Sequence, residues 1–140
     1  GPQRANLTRQ IGELGLADAV RLAGHREDVP AVLRALNMLV IASTRHEGVP
    51  QIGLQALACR TPVVGSDAGG TPEIIRAGET GRIFPAGDAA ALAAAIRATC
   101  TETTITQAMS ERGRRMVERQ HSLDHMLDRL EAIYRRYLPA

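Results

Sequence analysis

The chemistry-bearing residues of this chain gather in one short stretch, STRHEGVPQIGLQALA, residues 43–58. An acid, Glu47, leads through Gly48, Val49 and Pro50 into an apolar segment carrying two amides, Gln51 and Gln55. Pro50 suits the first position of a helix, where its missing N–H costs nothing, and Gly48 lets backbone come close to a ligand. The free N–H groups of a helical first turn, with the helix dipole behind them, would hold an anion such as a diphosphate, with no metal required. Glu47 would repel a phosphate. It makes better sense as an acceptor for hydroxyl groups, as on a sugar. The other reading of Glu47 is a solvent-exposed loop acid that caps the following helix. Residues at i and i+4 share a helix face, and helical side chains lean toward the N-terminus. Gln51 and Gln55 are therefore expected to point back at one pocket with Glu47.

The elements that must position this loop alternate. RANLTRQIGEL has helical spacing through Leu7, Ile11 and Leu14, with Gly15 as its stop. AVRLAG, residues 19–24, reads as a short strand. EDVPAVLRAL resumes helical periodicity, and MLVIAS, residues 38–43, is an apolar run of the kind a parallel strand shows when buried on both faces. A helix is expected from Pro50 to Cys59, then a strand PVVGS, a short helix in GGTPEIIRAG and a strand GRIF. Asp88 is placed to cap an Ala-rich helix, and two longer helices, about 104–119 and 122–138, finish the chain, the second capped by Ser122. Strand and helix alternating over short connections predict an α/β, Rossmann-like, doubly wound parallel sheet with C-terminal helices. In such sheets ligands bind outside the carboxyl ends of the strands, which is where STRHEGVP falls.

The chain has 140 residues, enough for one domain with a core of its own. Its formal net charge is +2, too small to argue for nucleic acid, and the scarcity of aromatic residues argues against a single-strand stacking platform. All 17 basic residues are Arg, which reads as coding bias more than chemistry. Cys59 and Cys100 lie far apart with no metal-ligand spacing, so reduced thiols in a cytoplasmic protein are expected. No apolar run reaches the length of a membrane span. The Arg-rich tail (Arg112, Arg114, Arg115, Arg119, Arg135, Arg136) faces either anionic lipid or plain solvent.

The ordered block EGVPQIGLQALACRTPVVGSDAGGTPEII resembles the donor-binding half of the retaining glycosyltransferases of GT-B architecture, family four. GPQRANL is similar to the family's Gly-Pro and following helix, VRLAG to its next strand, and ETGRIFPAGDAAALAAAI to its downstream strand and helix. The resemblance implies a hexosyltransferase-type enzyme of polysaccharide biosynthesis that uses a nucleoside diphosphate sugar and no cofactor. Glu47 would be the catalytic-site acid that approaches the transferred sugar, and Gly48, Val49, Pro50 and Gln51 would lie near its diphosphate. Gln55 stands where the family usually has a Glu that holds the ribose hydroxyls, and Arg60 stands where it commonly has Gly. The turn at Gly24 and His25 falls where the family places backbone against the nucleobase; for His25 a partly exposed turn residue is the competing reading. Gly69 and Gly70 line the same cleft or serve only a tight turn. His46, beside Glu47, is not needed as a base, because the leaving diphosphate stabilises charge in such transferases.

The resemblance further implies that residues 1–140 are a donor-binding domain lacking its first strands, with the acceptor domain absent. A lipid-linked or saccharide acceptor would be presented by that missing domain, in the cytoplasm or at the inner face of the membrane. Gly1-Pro2 is either the family's own dipeptide or a protease scar. The chain alone is expected to be inactive, and a non-catalytic remnant or nucleotide-binding interaction module is the alternative that Gln55 favours.

Overall fold

In the computed structural model, residues 2–45 and 48–138 are described. Among them the elements run α1 (Arg4–Glu13), α2 (Val29–Ala35), β1 (Leu39–Ile41), α3 (Gln51–Ala58), β2 (Val63–Ser66), α4 (Thr71–Ile74), β3 (Arg82–Phe84), α5 (Ala89–Thr101), α6 (Thr103–Gln120) and α7 (Leu123–Tyr137). The three strands are parallel in the order β1-β2-β3, with Leu39 opposite Val63 and Val64 opposite Arg82. Helices separate the strands in sequence, so the architecture is the α/β one expected.

The capping residues act where the sequence places them. The Asp88 carboxylate accepts from the Ala91 N–H at 2.9 Å, and the Ser122 hydroxyl accepts from the His125 N–H at 3.2 Å. Gly15 closes α1 in the left-handed region (φ 65°), its N–H on the Gly12 carbonyl and the Leu16 N–H on the Ile11 carbonyl. Helix α3 ends with the same pair of bonds, Arg60 to Leu57 and Thr61 to Ala56, but with Arg60 at φ 60° in the glycine position. The sequence marked Arg60 as a departure from the family, and the backbone shows what it costs: a side chain where Gly is strain-free.

Two expectations about strands are corrected. AVRLAG forms no strand; residues 21–24 pair with nothing among the described residues, and a strand exists only where a ladder partner satisfies its N–H and C=O groups. MLVIAS contributes β1, but only Ile41 of that strand is buried, because β1 is an edge. The central strand β2 is the one buried throughout.

The core joins Leu33, Ile41, Ala56, Leu57, Val63, Ile74, Ile75 and Met116. Two glycines set how closely α3 sits on it. A Cβ on Gly53 would lie 2.7 Å from Ile74 Cδ1 and 3.0 Å from Ile41 Cδ1, and one on Gly113 would lie 2.6 Å from Leu57 Cδ2. Helix α3 is thus pressed onto β1 and α4 on one side and against α6 on the other. That packing fixes where its N-terminus points.

Candidate functional site

The carboxyl ends of the strands are tied to one another. At the end of β2, the Ser66 hydroxyl, fully buried, donates to the Ser43 carbonyl in the loop after β1 at 2.6 Å. One residue on, the Asp67 N–H donates to the Phe84 carbonyl at the end of β3, and its carboxylate accepts from the Ala86 N–H at 2.7 Å. The loops that follow β1 and β2 therefore start from fixed positions.

Those two loops then meet backbone to backbone. A Cβ built on Gly70 would lie 2.8 Å from the Gly48 carbonyl oxygen, 2.9 Å from its carbon and 3.1 Å from the Val49 nitrogen. Gly70 itself has φ −82°, which any residue adopts, so it is the close approach that calls for glycine here. Its neighbour Gly69, at φ 55°, takes the left-handed turn that delivers Gly70 to the contact. The structure accordingly brings Gly48, Val49, Gly69 and Gly70 together at the start of α3. Glu47 and His46 lie outside the described residues, on the segment that leads into this contact.

Pro50 is the residue before α3, with extended backbone (φ −72°, ψ 104°), where the sequence reading has it in the first helical position. The shift follows from ψ: proline fixes φ alone, and the ψ of Pro50 is extended. The chemical consequence is unchanged. Among the described residues no side chain caps α3; the Gly53 N–H is taken by the Pro50 carbonyl at 2.9 Å, which leaves the Gln51 and Ile52 N–H groups at the helix start for a ligand. Gln51 and Gln55 are both exposed, and neither amide has a hydrogen-bond partner among the described residues. Gln51 lines a groove of about 560 Å³ together with Leu54 and with His121, His125 and Arg129 from the α6–α7 turn and α7; Gln55, one turn later, is not on its wall.

Gly24 and His25 belong to a different cleft, of about 520 Å³, with Pro2, Arg4 and Leu7 opposite Leu22 and His25. Gly24 takes φ 75°, a turn for glycine. The turn is held just beyond by Arg26, which grips both oxygens of Asp28 at 2.8 and 2.5 Å. Those hydrogen bonds hold the Asp28 carboxyl below the usual carboxylate range.

Three polar residues of the site were not singled out from the sequence. Ser43 and Ser66 join the strand ends, and Thr71, fully buried directly after Gly70, has a hydroxyl without a partner among the described residues. A Ser closing the apolar run PVVGS is the one signal that pointed to them. Among the described residues there is no group of His, Cys, Asp and Glu able to hold a metal ion, and no helix long and apolar enough to cross a membrane.

Comparison with known proteins bears on this arrangement. The family model described as glycosyl transferases group 1 matches residues 1–102. The chain is 35% identical over 128 residues to the lipopolysaccharide core biosynthesis mannosyltransferase LpcC of Rhizobium leguminosarum bv. viciae, covering 91% of this chain and 36% of that protein. It is 28% identical over 134 residues to N-acetyl-alpha-D-glucosaminyl L-malate synthase of Bacillus anthracis, covering 96% and 35%. Among solved structures, Anabaena Alr3699/HepE in complex with UDP and glucose superposes with a TM-score of 0.88 at 25% identity, over 92% of this chain and 35% of that one. Sucrose-phosphate synthase of Thermosynechococcus elongatus gives 0.87 at 27% identity, over 97% and 34%. The chain spans about a third of the length of the relatives it matches.

Proposed function

The chain belongs to the group 1 glycosyl transferases, and from that premise we propose that it supplies the donor-binding part of a retaining, family-four-type enzyme. Such an enzyme moves a hexose from a nucleoside diphosphate sugar to an acceptor. The observation that carries the reading is the contact of Gly70 with the Gly48–Val49 backbone, which assembles two strand-end loops at the N-terminus of α3. The first-turn N–H groups and helix dipole of α3 take the diphosphate, and charge that develops on the leaving group is stabilised there. Glu47 accepts hydroxyls of the transferred sugar. Gln55 approaches the ribose, with one acceptor oxygen and an NH₂ donor in place of a carboxylate. Gly24 and His25 offer the turn against which a nucleobase rests. HepE, crystallised with UDP and with UDP-glucose, supports a nucleotide-sugar donor.

No cofactor and no metal enter this scheme. The acceptor, lipid-linked or saccharide, is presented by a further domain, at the cytoplasmic face of a membrane. Gln55 favours a second reading, a non-catalytic remnant or nucleotide-binding interaction module with the same fold. Calorimetric titration with uridine, guanosine and adenosine diphosphates tests the proposal. Saturable binding of one of them is expected; heats equal to dilution for all three at millimolar concentration would contradict it. Nucleotide binding together with no transfer by an acceptor-presenting polypeptide would favour the second reading.

A further inference from the structure

The groove bordered by Gln51 has no part in the donor scheme. It holds about 560 Å³, between α3 and the turn from α6 into α7, a size that suits a small ligand. Its apolar wall is Leu54 of α3 with Met126, Leu130 and Ile133 of α7. Its polar wall is Gln51, Gln120, His121, His125 and Arg129, and no acid lies on either wall. His125 and Arg129 stand four apart on α7, hence on one face, and helical side chains lean toward the helix N-terminus, here toward the turn. Gln120 accepts from Arg76 at 3.3 Å. Arg129 makes no ion pair among the described residues, and neither histidine ring makes a hydrogen bond there. The groove adjoins the proposed donor site through Gln51. The N–H of that residue is one of the two left at the start of α3, and its side chain is on the groove wall.

We infer that the groove takes the phosphate and the first chain carbons of a lipid-linked acceptor, a single-chain amphiphile whose phosphate joins lipid to sugar. The inference rests on the reading of α3 as the donor site, because Gln51 belongs to both. A phosphate matches a wall that offers a guanidinium and N–H donors and no carboxylate, and the planar fork of Arg129 suits its oxygens. An alkyl chain matches Leu54, Met126, Leu130 and Ile133, and removes apolar surface from water that an uncharged saccharide would leave wet. The two properties stand side by side in one groove. Neither inorganic phosphate nor a free sugar uses both.

Amide chemical shifts of the isotope-labelled 140-residue chain test this, with monomeric decyl phosphate as the probe. Saturable changes are expected at Leu54, His125, Met126 and Arg129. Inorganic phosphate and the uncharged decyl maltoside should each bind at least about tenfold more weakly, since each lacks one of the two matched groups. Arg129→Glu should weaken decyl phosphate about tenfold. Arg115→Glu, the same change of charge at an exposed α6 residue off the groove, should leave it unchanged. Uridine diphosphate, added with the groove saturated, should still move Gly48, Gly69 and Gly70. Its failure to do so in the absence of decyl phosphate would overturn the donor site, whereas the groove resonances decide the present inference. Decyl phosphate that moves Gly48 and Gly70 and competes with uridine diphosphate overturns it. So does equal binding of inorganic phosphate or of decyl maltoside, equal loss in the two Arg variants, or binding to anionic vesicles with none to the monomeric amphiphile.

Discussion

Replacing Gly70 by Ala adds one methyl group at the point where the two loops of the proposed site touch. The backbone there is at φ −82°, so alanine brings no conformational strain and lowers the entropy of the unfolded chain, a gain of about 0.4–1 kcal/mol. Against that, the new Cβ would stand 2.8 Å from the Gly48 carbonyl oxygen. Ordinary contact needs roughly half an ångström more, and the obstacle is backbone, which cannot rotate away as a side-chain tip does. Overpacking of this kind costs about 1–3 kcal/mol, leaving a net loss of about 1–2 kcal/mol and a fall in Tm of several degrees. Gly12→Ala provides the control. It is the same substitution inside α1 with nothing within 4 Å, and it should stabilise by about 0.5–1 kcal/mol. Urea unfolding of both variants, with a nucleoside diphosphate titration of each, reads the two effects. Gly70→Ala should lose stability and nucleotide affinity together, while Gly12→Ala gains stability and keeps affinity. A Gly70→Ala protein as stable and as tight-binding as the parent would refute the loop contact as the basis of the site.

Arg60→Gly relieves the left-handed strain at the end of α3 at the expense of an exposed Arg60–Glu111 pair at 3.1 Å. The net effect is a gain of about 0.5–1 kcal/mol in urea unfolding, and a destabilised variant would show that the ion pair outweighs the backbone. In an active transferase carrying this domain, Glu47→Ala should lower turnover by the equivalent of about 1–3 kcal/mol while leaving nucleoside diphosphate affinity nearly unchanged; equal losses in both would contradict a role at the sugar. Gln55→Glu should tighten nucleotide binding by about 1 kcal/mol, because a charged acceptor bonds ribose hydroxyls more strongly, and weaker binding by calorimetry would assign Gln55 another role.

Much of the fold was legible because its signals are local. Asp88 and Ser122 announce helix starts through side chains that satisfy N–H groups three residues on, and Gly15 announces a stop through a φ that other residues avoid. AVRLAG was misread for the complementary reason: its composition favours extended backbone, but a strand is a relation between two segments, and no described segment lies alongside it. In the site, Gly48 was readable as a place where backbone comes close to a ligand, and Gly70 as part of a cleft or a tight turn. That they come close to each other, across 22 residues of sequence, depends on how α3 packs on Ile41 and Ile74. The resemblance implies that Gly24 and His25 face a nucleobase, and in the structure they line a cleft with Pro2, Arg4 and Leu7 at the start of α1. Periodicity alone carries no distance between one loop and another.

The central claim is that the loops after β1 and β2 form a nucleotide-sugar site at the start of α3. Backbone amide chemical shifts, followed while uridine diphosphate or UDP-glucose is added to the isotope-labelled chain, test it most directly, since weak binding still moves resonances. The account predicts that the largest changes fall on Gly48, Gln51, Ile52, Gly69 and Gly70, with a second group at Gly24 and His25. Changes confined to the α6–α7 groove or to α7, or none at millimolar ligand, would contradict it.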